Sequence, residues 1–140
     1  MNPTTRARLT QALQDMTFGL EVEVTGINRY GSGPQVALNI NQSLGFTGQK
    51  AFKNVSDGSV QDGSEFVSGI MSLKDDLTST QEAVRMIHRA GGRPHQSCGI
   101  HVHIGGRAFI NNPKALVRLV RLVARYENQL FHALGADTPQ

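Results

Sequence analysis

The chain has 140 residues, of which 39% are hydrophobic and 18% charged, a balance typical of a globular domain large enough to bury a core. The formal net charge is only +3, and no basic cluster is interleaved with aromatic residues, which argues against nucleic-acid binding. No apolar stretch has the length of a membrane span or a signal sequence, and the single cysteine, Cys98, excludes an internal disulfide. We therefore expect one cytoplasmic domain over residues 1–140.

Hydrophobic spacing predicts helices that alternate irregularly with short strands. In chain order these are helix Thr5–Met16, strand Thr17–Thr25, helix Pro34–Leu44, strand Ala51–Val55, strand Glu65–Ile70, helix Asp75–Ala90, a strand around His101, and a helix from Pro113 to Leu134. The third segment is ambiguous, because Val36–Ile40 also has the composition of a strand. Asn112 is the predicted cap of the last helix. This order predicts an α+β domain with a mostly antiparallel sheet and helices packed on one face.

Two of the predicted strands carry pairs of ionisable side chains. In the strand that begins at Thr17, Glu21 and Glu23 share one face, and the opposite face is apolar. In the later strand, His101 and His103 likewise share a face. Adjacent carboxylates repel one another, so Glu21 and Glu23 contribute little to the stability of the fold unless a cation neutralises them. The pattern favours a metal-binding or catalytic surface.

A third segment extends this candidate site. Asp57 and Glu65 lie on either side of a glycine-containing turn, and both can reach the sheet face of the first two glutamates. Carboxylate oxygens suit Mg²⁺ or Mn²⁺, and the histidines also allow Zn²⁺. Several carboxylates in one cavity are more typical of a site in which hard cations bind phosphate oxygens. The combination favours magnesium and phosphoryl chemistry.

Each feature alone also has a structural interpretation. A Glu-x-Glu strand is often only the solvated side of a sheet, and Asp57 fits a simple turn. The Gly31–Gly33 segment lacks the spacing and lysine of a phosphate loop, and Cys98 is expected to be a small buried residue. The remaining histidines, His88, His95 and His132, are expected to be structural. The coincidence of three segments favours the functional interpretation.

Three motifs follow one another along the chain: Phe18-Gly19-Leu20-Glu21-Val22-Glu23, then Asp57-Gly58-Ser59 with Glu65-Phe66-Val67-Ser68, then Cys98-Gly99-Ile100-His101-Val102-His103. In this order they resemble the motifs of the amidoligase family, whose members are relatives of glutamine synthetase and glutamate–cysteine ligase. The resemblance covers about Thr17 to Leu134, and its last motif is the most specific.

This resemblance implies a fold similar to the glutamine synthetase catalytic domain, with divalent metals on the concave face of the sheet. By analogy, Glu23, Asp57 and Glu65 hold one Mg²⁺ or Mn²⁺, and Glu21 and His101 help to hold a second. His103 and Ser59 are implied to bind ATP. The implied reaction is ATP-dependent amide formation from a carboxylate and an amine through an acyl phosphate, with Glu21, Glu23, His101 and His103 as the catalytic residues.

Family members usually continue past the helix that follows the histidine strand. The chain is therefore expected to be a truncated member that forms a homo-oligomer or takes the C-terminal part from a partner. Two other functions remain open from the sequence. One is a non-catalytic binding or assembly module that keeps the sheet, and the other is a small metallohydrolase that uses His101 and His103.

Overall fold

The computed structural model describes residues 2–56, 63–110 and 112–134. Over these ranges the chain forms five helices and five strands, which confirms the predicted α+β class. In chain order they are α1 (Pro3–Gln14), β1 (Thr17–Thr25), α2 (Ser32–Leu44), β2 (Lys53–Val55), β3 (Gly63–Val67), β4 (Met71–Ser72), α3 (Leu73–Arg89), β5 (Ile100–Ile104), α4 (Arg107–Ile110) and α5 (Pro113–Leu134). A single 3-10 turn, Gly48–Lys50, lies between α2 and β2.

The central strand of the sheet is β1. Phe18 is the register partner of both Met71 in β4 and Ile104 in β5, so these two strands lie on opposite edges of β1. Glu21 likewise pairs with Val67 in β3 and with His101 in β5. Strands β3 and β4 therefore follow one edge of β1, and β5 follows the other. Every named pair is antiparallel, as predicted.

The hydrophobic core lies between one sheet face and the helices α2 and α3. Alternate residues of β1 are buried there, as the period of two predicts, and Phe66 of β3 joins them with no exposed surface. The helices contribute Ile40 and Ile87, which are also fully or almost fully buried. Burial of each such side chain contributes about 1.5–3 kcal/mol to folding. This packing leaves the other sheet face available for polar side chains.

The ambiguous third segment is a helix. Ala37 and Ile40 are three residues apart in α2 and are buried on the same side, a spacing that a helix satisfies and a strand does not. The helix begins at Ser32, two residues before the predicted start at Pro34. It ends at the predicted Gly45, which has a φ of 70° and donates its N–H to the carbonyl of Asn41.

The predicted strand Glu65–Ile70 is wrong at its C-terminal end, because β3 stops at Val67. At Ser68 the hydroxyl accepts the backbone N–H of Leu20, in place of a regular ladder bond. The chain then passes close to the carbonyl of Gln49, which would lie only 1.6 Å from a Cβ at Gly69. Pairing with β1 resumes at β4. A contact with a distant segment therefore breaks the strand, and local spacing carries no signal for it.

The chain divides into two compact units, Met1–Ile104 and Gly105–Gln140, and the single domain expected over residues 1–140 stays a prediction. The second unit contains α4 and α5. The predicted cap is confirmed, since the Asn112 side chain accepts the N–H of Ala115 at the start of α5. Basic residues recur along α5 every three or four positions and are exposed, at Lys114, Arg118, Arg121 and Arg125. Over the part of the chain that is described, no helix combines the length and apolarity needed to cross a bilayer.

Candidate active site

The polar face of the sheet collects side chains from three strands. On β1, Glu21 lies opposite His101 of β5, and Glu23 lies opposite Glu65 of β3. Register partners in antiparallel strands point to the same face, so these four side chains share one surface. His103 lies on it too, opposite Gly19. The alternation that buries one face of β1 in the core therefore directs its glutamates toward the histidines.

The Glu21 carboxylate binds both histidines. Its Oε2 accepts a hydrogen bond from Nδ1 of His101, and its Oε1 accepts one from Nε2 of His103, each at 2.8 Å. His103 reaches Glu21 diagonally across the strand pair, and its direct partner Gly19 has no side chain to obstruct it. The Glu21 side chain is 25% exposed, and the imidazoles are more exposed. This end of the site is therefore open to solvent.

These contacts shift the pKa values of Glu21 and His101. The hydrogen bonds from His101 and then His103 hold the pKa of the Glu21 carboxyl below its usual value. The Glu21 hydrogen bond raises the pKa of His101, and the charges of Glu21, Glu23 and Glu65 add to this effect. The site therefore stabilises a positive charge at the position of His101.

The other end of the site is buried and holds two opposed carboxylates. Glu23 and Glu65 are 7% and 9% exposed and face each other across β1 and β3. Glu23 Oε2 accepts the backbone N–H of Gly99 at 2.6 Å, and the Glu23 N–H donates to the Gly99 carbonyl at 3.1 Å. This buried end of the site therefore holds two carboxyl groups on opposite strands, one of them oriented by the backbone of Gly99.

Three of these residues have ligand atoms close enough together to bind one metal ion. One ligand atom each from Glu21, Glu65 and His101 lies within 4.8 Å of the others. Two carboxylates and one imidazole suit Mg²⁺ or Mn²⁺, and they also permit Zn²⁺. The donor set thus fits the cation that the sequence motifs imply.

The structure brings together five of the predicted site residues: Glu21, Glu23, Glu65, His101 and His103. The other two, Asp57 and Ser59, lie outside the described residues, so their predicted roles stay predictions. Sequence reasoning missed the part played by Gly99. A Cβ there would lie 3.2 Å from Nε2 of His101 and 3.5 Å from Oε2 of Glu23. The only sequence signal was a glycine directly before the histidine strand.

The residues assigned structural roles lie outside this cluster. His95 forms a local hydrogen bond with the Ser97 hydroxyl at 2.9 Å. The His88 ring nitrogen Nδ1 lies 3.4 Å from the Arg93 guanidinium, which also donates to the carbonyls of His88 at 2.9 Å and Gly92 at 2.8 Å. Cys98 is partly exposed, so the expectation that it is a buried residue is wrong. The reason is its place in the turn before β5, where its N–H donates to the His95 carbonyl.

Comparison with known proteins supports the motif analysis. Residues 49–139 match the model of a family described as "Putative amidoligase enzyme", a range that includes Glu65, His101 and His103. No curated protein and no solved structure matches the chain. The match spans more than half of the chain. Strand β1, which supplies Glu21 and Glu23 to the site, lies outside the matched range. On these grounds the chain belongs to the amidoligase family.

Proposed function

We propose that this chain is an ATP-dependent carboxylate–amine ligase that uses Mg²⁺ or Mn²⁺ bound by Glu21, Glu65 and His101. The observation that carries the proposal is the convergence of these side chains from three separate strands, with ligand atoms within 4.8 Å. Family membership supports ligase chemistry. The analogy with glutamine synthetase adds Glu23 and Asp57 as further metal ligands, and Ser59 as a contact to ATP.

In the proposed reaction, a substrate carboxylate oxygen attacks the γ-phosphorus of ATP, and ADP leaves. The amine nitrogen then attacks the acyl carbon, phosphate leaves, and the amine loses a proton as the amide forms. When bound, the cation neutralises charge on the phosphate oxygens.

The side chains of this protein position the reactants. The pair Glu23 and Glu65 forms the buried floor of the site, and Gly99 orients Glu23 through its N–H. Glu21 fixes the ring orientation of His101 and His103. The more exposed His103 lies where a phosphate group can approach from solvent.

The cation site is tested by calorimetric titration with MgCl₂ and MnCl₂. We expect Glu65→Gln to weaken binding at least tenfold, because it removes a charged ligand from the cluster. The matched control is Glu82→Gln, which removes a carboxylate that pairs with Arg85 and Arg89 on α3. Saturating metal should also stabilise the fold, by about 2.7 kcal/mol at a concentration one hundred times the Kd. Equal affinity in the wild type and Glu65→Gln would exclude this site.

Ligase activity is tested by ADP formation in the presence of Mg²⁺, ATP, and panels of acids and amines. We expect ADP release to require both an acid and an amine, and Glu23→Ala to abolish it. Activity that survives Glu23→Ala would contradict the assignment. Metal binding with no ATP binding would instead favour the non-catalytic binding or assembly module.

A further inference from the structure

Strand β5 has an outer hydrogen-bonding edge, on the side away from β1. The Glu23 N–H donates to the carbonyl of Gly99, so Gly99 faces β1, and by alternation His101 and His103 face it as well. The backbone groups of Ile100, Val102 and Ile104 therefore point away from β1. Among the described residues, no strand pairs with that outer edge. A row of unpaired backbone groups is a template for another strand.

The apolar side chains on this strand are also exposed. Ile100, Val102 and Ile104 are 66%, 60% and 47% exposed, although they lie on the same sheet face as the buried core residues of β1. The outer edge and the exposed apolar side chains thus occur together, on the same three residues.

The sequence of this segment is a palindrome. Gly99-Ile100-His101-Val102-His103-Ile104-Gly105 has the same order of residue types in both directions. Two copies in antiparallel contact, centred on Val102, would pair isoleucine with isoleucine and histidine with histidine. The glycines at the two ends would face each other without side-chain obstruction. A two-fold axis requires such self-complementarity, and this segment provides it.

We propose that β5 pairs antiparallel with β5 of a second copy of this chain, about a two-fold axis through Val102. Ile100, Val102 and Ile104 then exchange backbone hydrogen bonds with the second copy, and their side chains form a continuous apolar patch. The pairing joins the two sheets into one.

The pairing also extends the candidate active site across the axis. His101 of each copy lies opposite His103 of the other in a non-hydrogen-bonded pair, where side chains approach most closely. Each Glu21–His101–His103 cluster thereby gains two imidazoles from the second copy. The pairing itself does not rest on the proposed ligase function, because it follows from the edge and the sequence of β5 alone.

The first test is the mass of the metal-free protein by sedimentation equilibrium. We expect twice the 15.2 kDa mass of the chain for the wild type and a single-chain mass for Val102→Lys. The substitution places two ammonium groups opposite each other at the axis. The matched control is Ile70→Lys, at a position 62% exposed and outside β5, which should remain dimeric. A monomeric wild type, or a dimer that Val102→Lys leaves intact, would overturn the proposal.

A second measurement does not depend on that variant folding. A spin label on the only cysteine, Cys98, reports the distance between copies by double electron–electron resonance. The proposed register separates the two Cys98 Cα atoms by about 27 Å, given a rise of about 3.4 Å per residue. We expect a distance distribution centred near this value, broadened by the label. A dimer with a clearly different distance would overturn the β5 pairing, whatever the metal and ATP titrations show.

Discussion

Asp76 connects the start of α3 to the segment before β2. Its carboxylate accepts the backbone N–H of Ser72 at 2.7 Å and lies 2.7 Å from the ammonium group of Lys50. Ser72 is the N-cap of α3, and its hydroxyl accepts the N–H of Asp75. The Asp76 side chain is 11% exposed, whereas that of Lys50 is 45% exposed. We predict that the bond to Ser72 contributes more stability than the ion pair does.

The magnitudes follow from this difference in exposure. Asp76→Ala removes a hydrogen bond to a charged acceptor, worth about 1.5–3 kcal/mol, and a favourable charge near a helix N-terminus, worth about 0.3–1 kcal/mol. An ion pair with a solvent-exposed partner contributes only about 0–1 kcal/mol. We therefore expect urea denaturation at neutral pH to show a loss of about 2–4 kcal/mol for Asp76→Ala, and at most about 1 kcal/mol for Lys50→Met.

The pH dependence checks the same reasoning. Burial raises the pKa of Asp76, but the hydrogen bonds from Lys50 and from the Ser72 N–H together outweigh it, so the net pKa lies below the ordinary value of 3.8. A lowered folded-state pKa contributes stability above the unfolded-state pKa, and this stability is lost as the pH falls through the folded-state pKa. The stability difference between the wild type and Asp76→Asn should therefore shrink below about pH 3.8. A difference independent of pH, or a loss for Lys50→Met as large as that for Asp76→Ala, would refute this account.

Two further predictions concern the core and the site. Phe66→Ala should destabilise the fold by about 3–5 kcal/mol in urea denaturation, because Phe66 has no exposed surface and its loss leaves a cavity; a loss below about 1 kcal/mol would contradict this. Gly99→Ala should keep the fold but weaken Mn²⁺ binding in calorimetry, since its Cβ would lie 3.2 Å from Nε2 of His101 and would displace the ring. Unchanged Mn²⁺ affinity in Gly99→Ala would show that this side of His101 does not take part in binding.

Much of the fold was predictable because local periodicity and tertiary packing agree. In strand β1 every second residue from Phe18 to Val24 is apolar, and α5 begins at the predicted Pro113 after its Asn112 cap. The prediction failed where a distant segment decides the local conformation. The close approach of the Gln49 carbonyl at Gly69 ends β3 early, and the hydrophobic spacing within residues 65–70 does not predict this contact.

The candidate site was predictable as a set of residues but not as a set of contacts. Alternation assigns Glu21, Glu23, His101 and His103 to faces of their strands, but it does not say which strands are neighbours. The bonds of Glu21 to both histidines depend on β5 pairing with β1. The bond from Gly99 to Glu23 depends on the path of the chain before β5, for which the sequence holds only the glycine itself.

The register of β1 explains why one strand can serve both the core and the site. A shift of one residue would exchange its two faces, moving Glu21 and Glu23 into the core and Val22 out of it. Burying two unpaired carboxylates among apolar side chains is far more costly than any gain from alternative pairing, so the hydrophobic pattern fixes which face of β1 enters the core. With that face fixed, Glu21 and Glu23 lie on the same surface as their observed register partners His101 and Glu65. The free energy that drives core formation therefore also assembles the carboxylate–histidine cluster, and substitutions such as Phe66→Ala should disturb that cluster from the opposite side of the sheet.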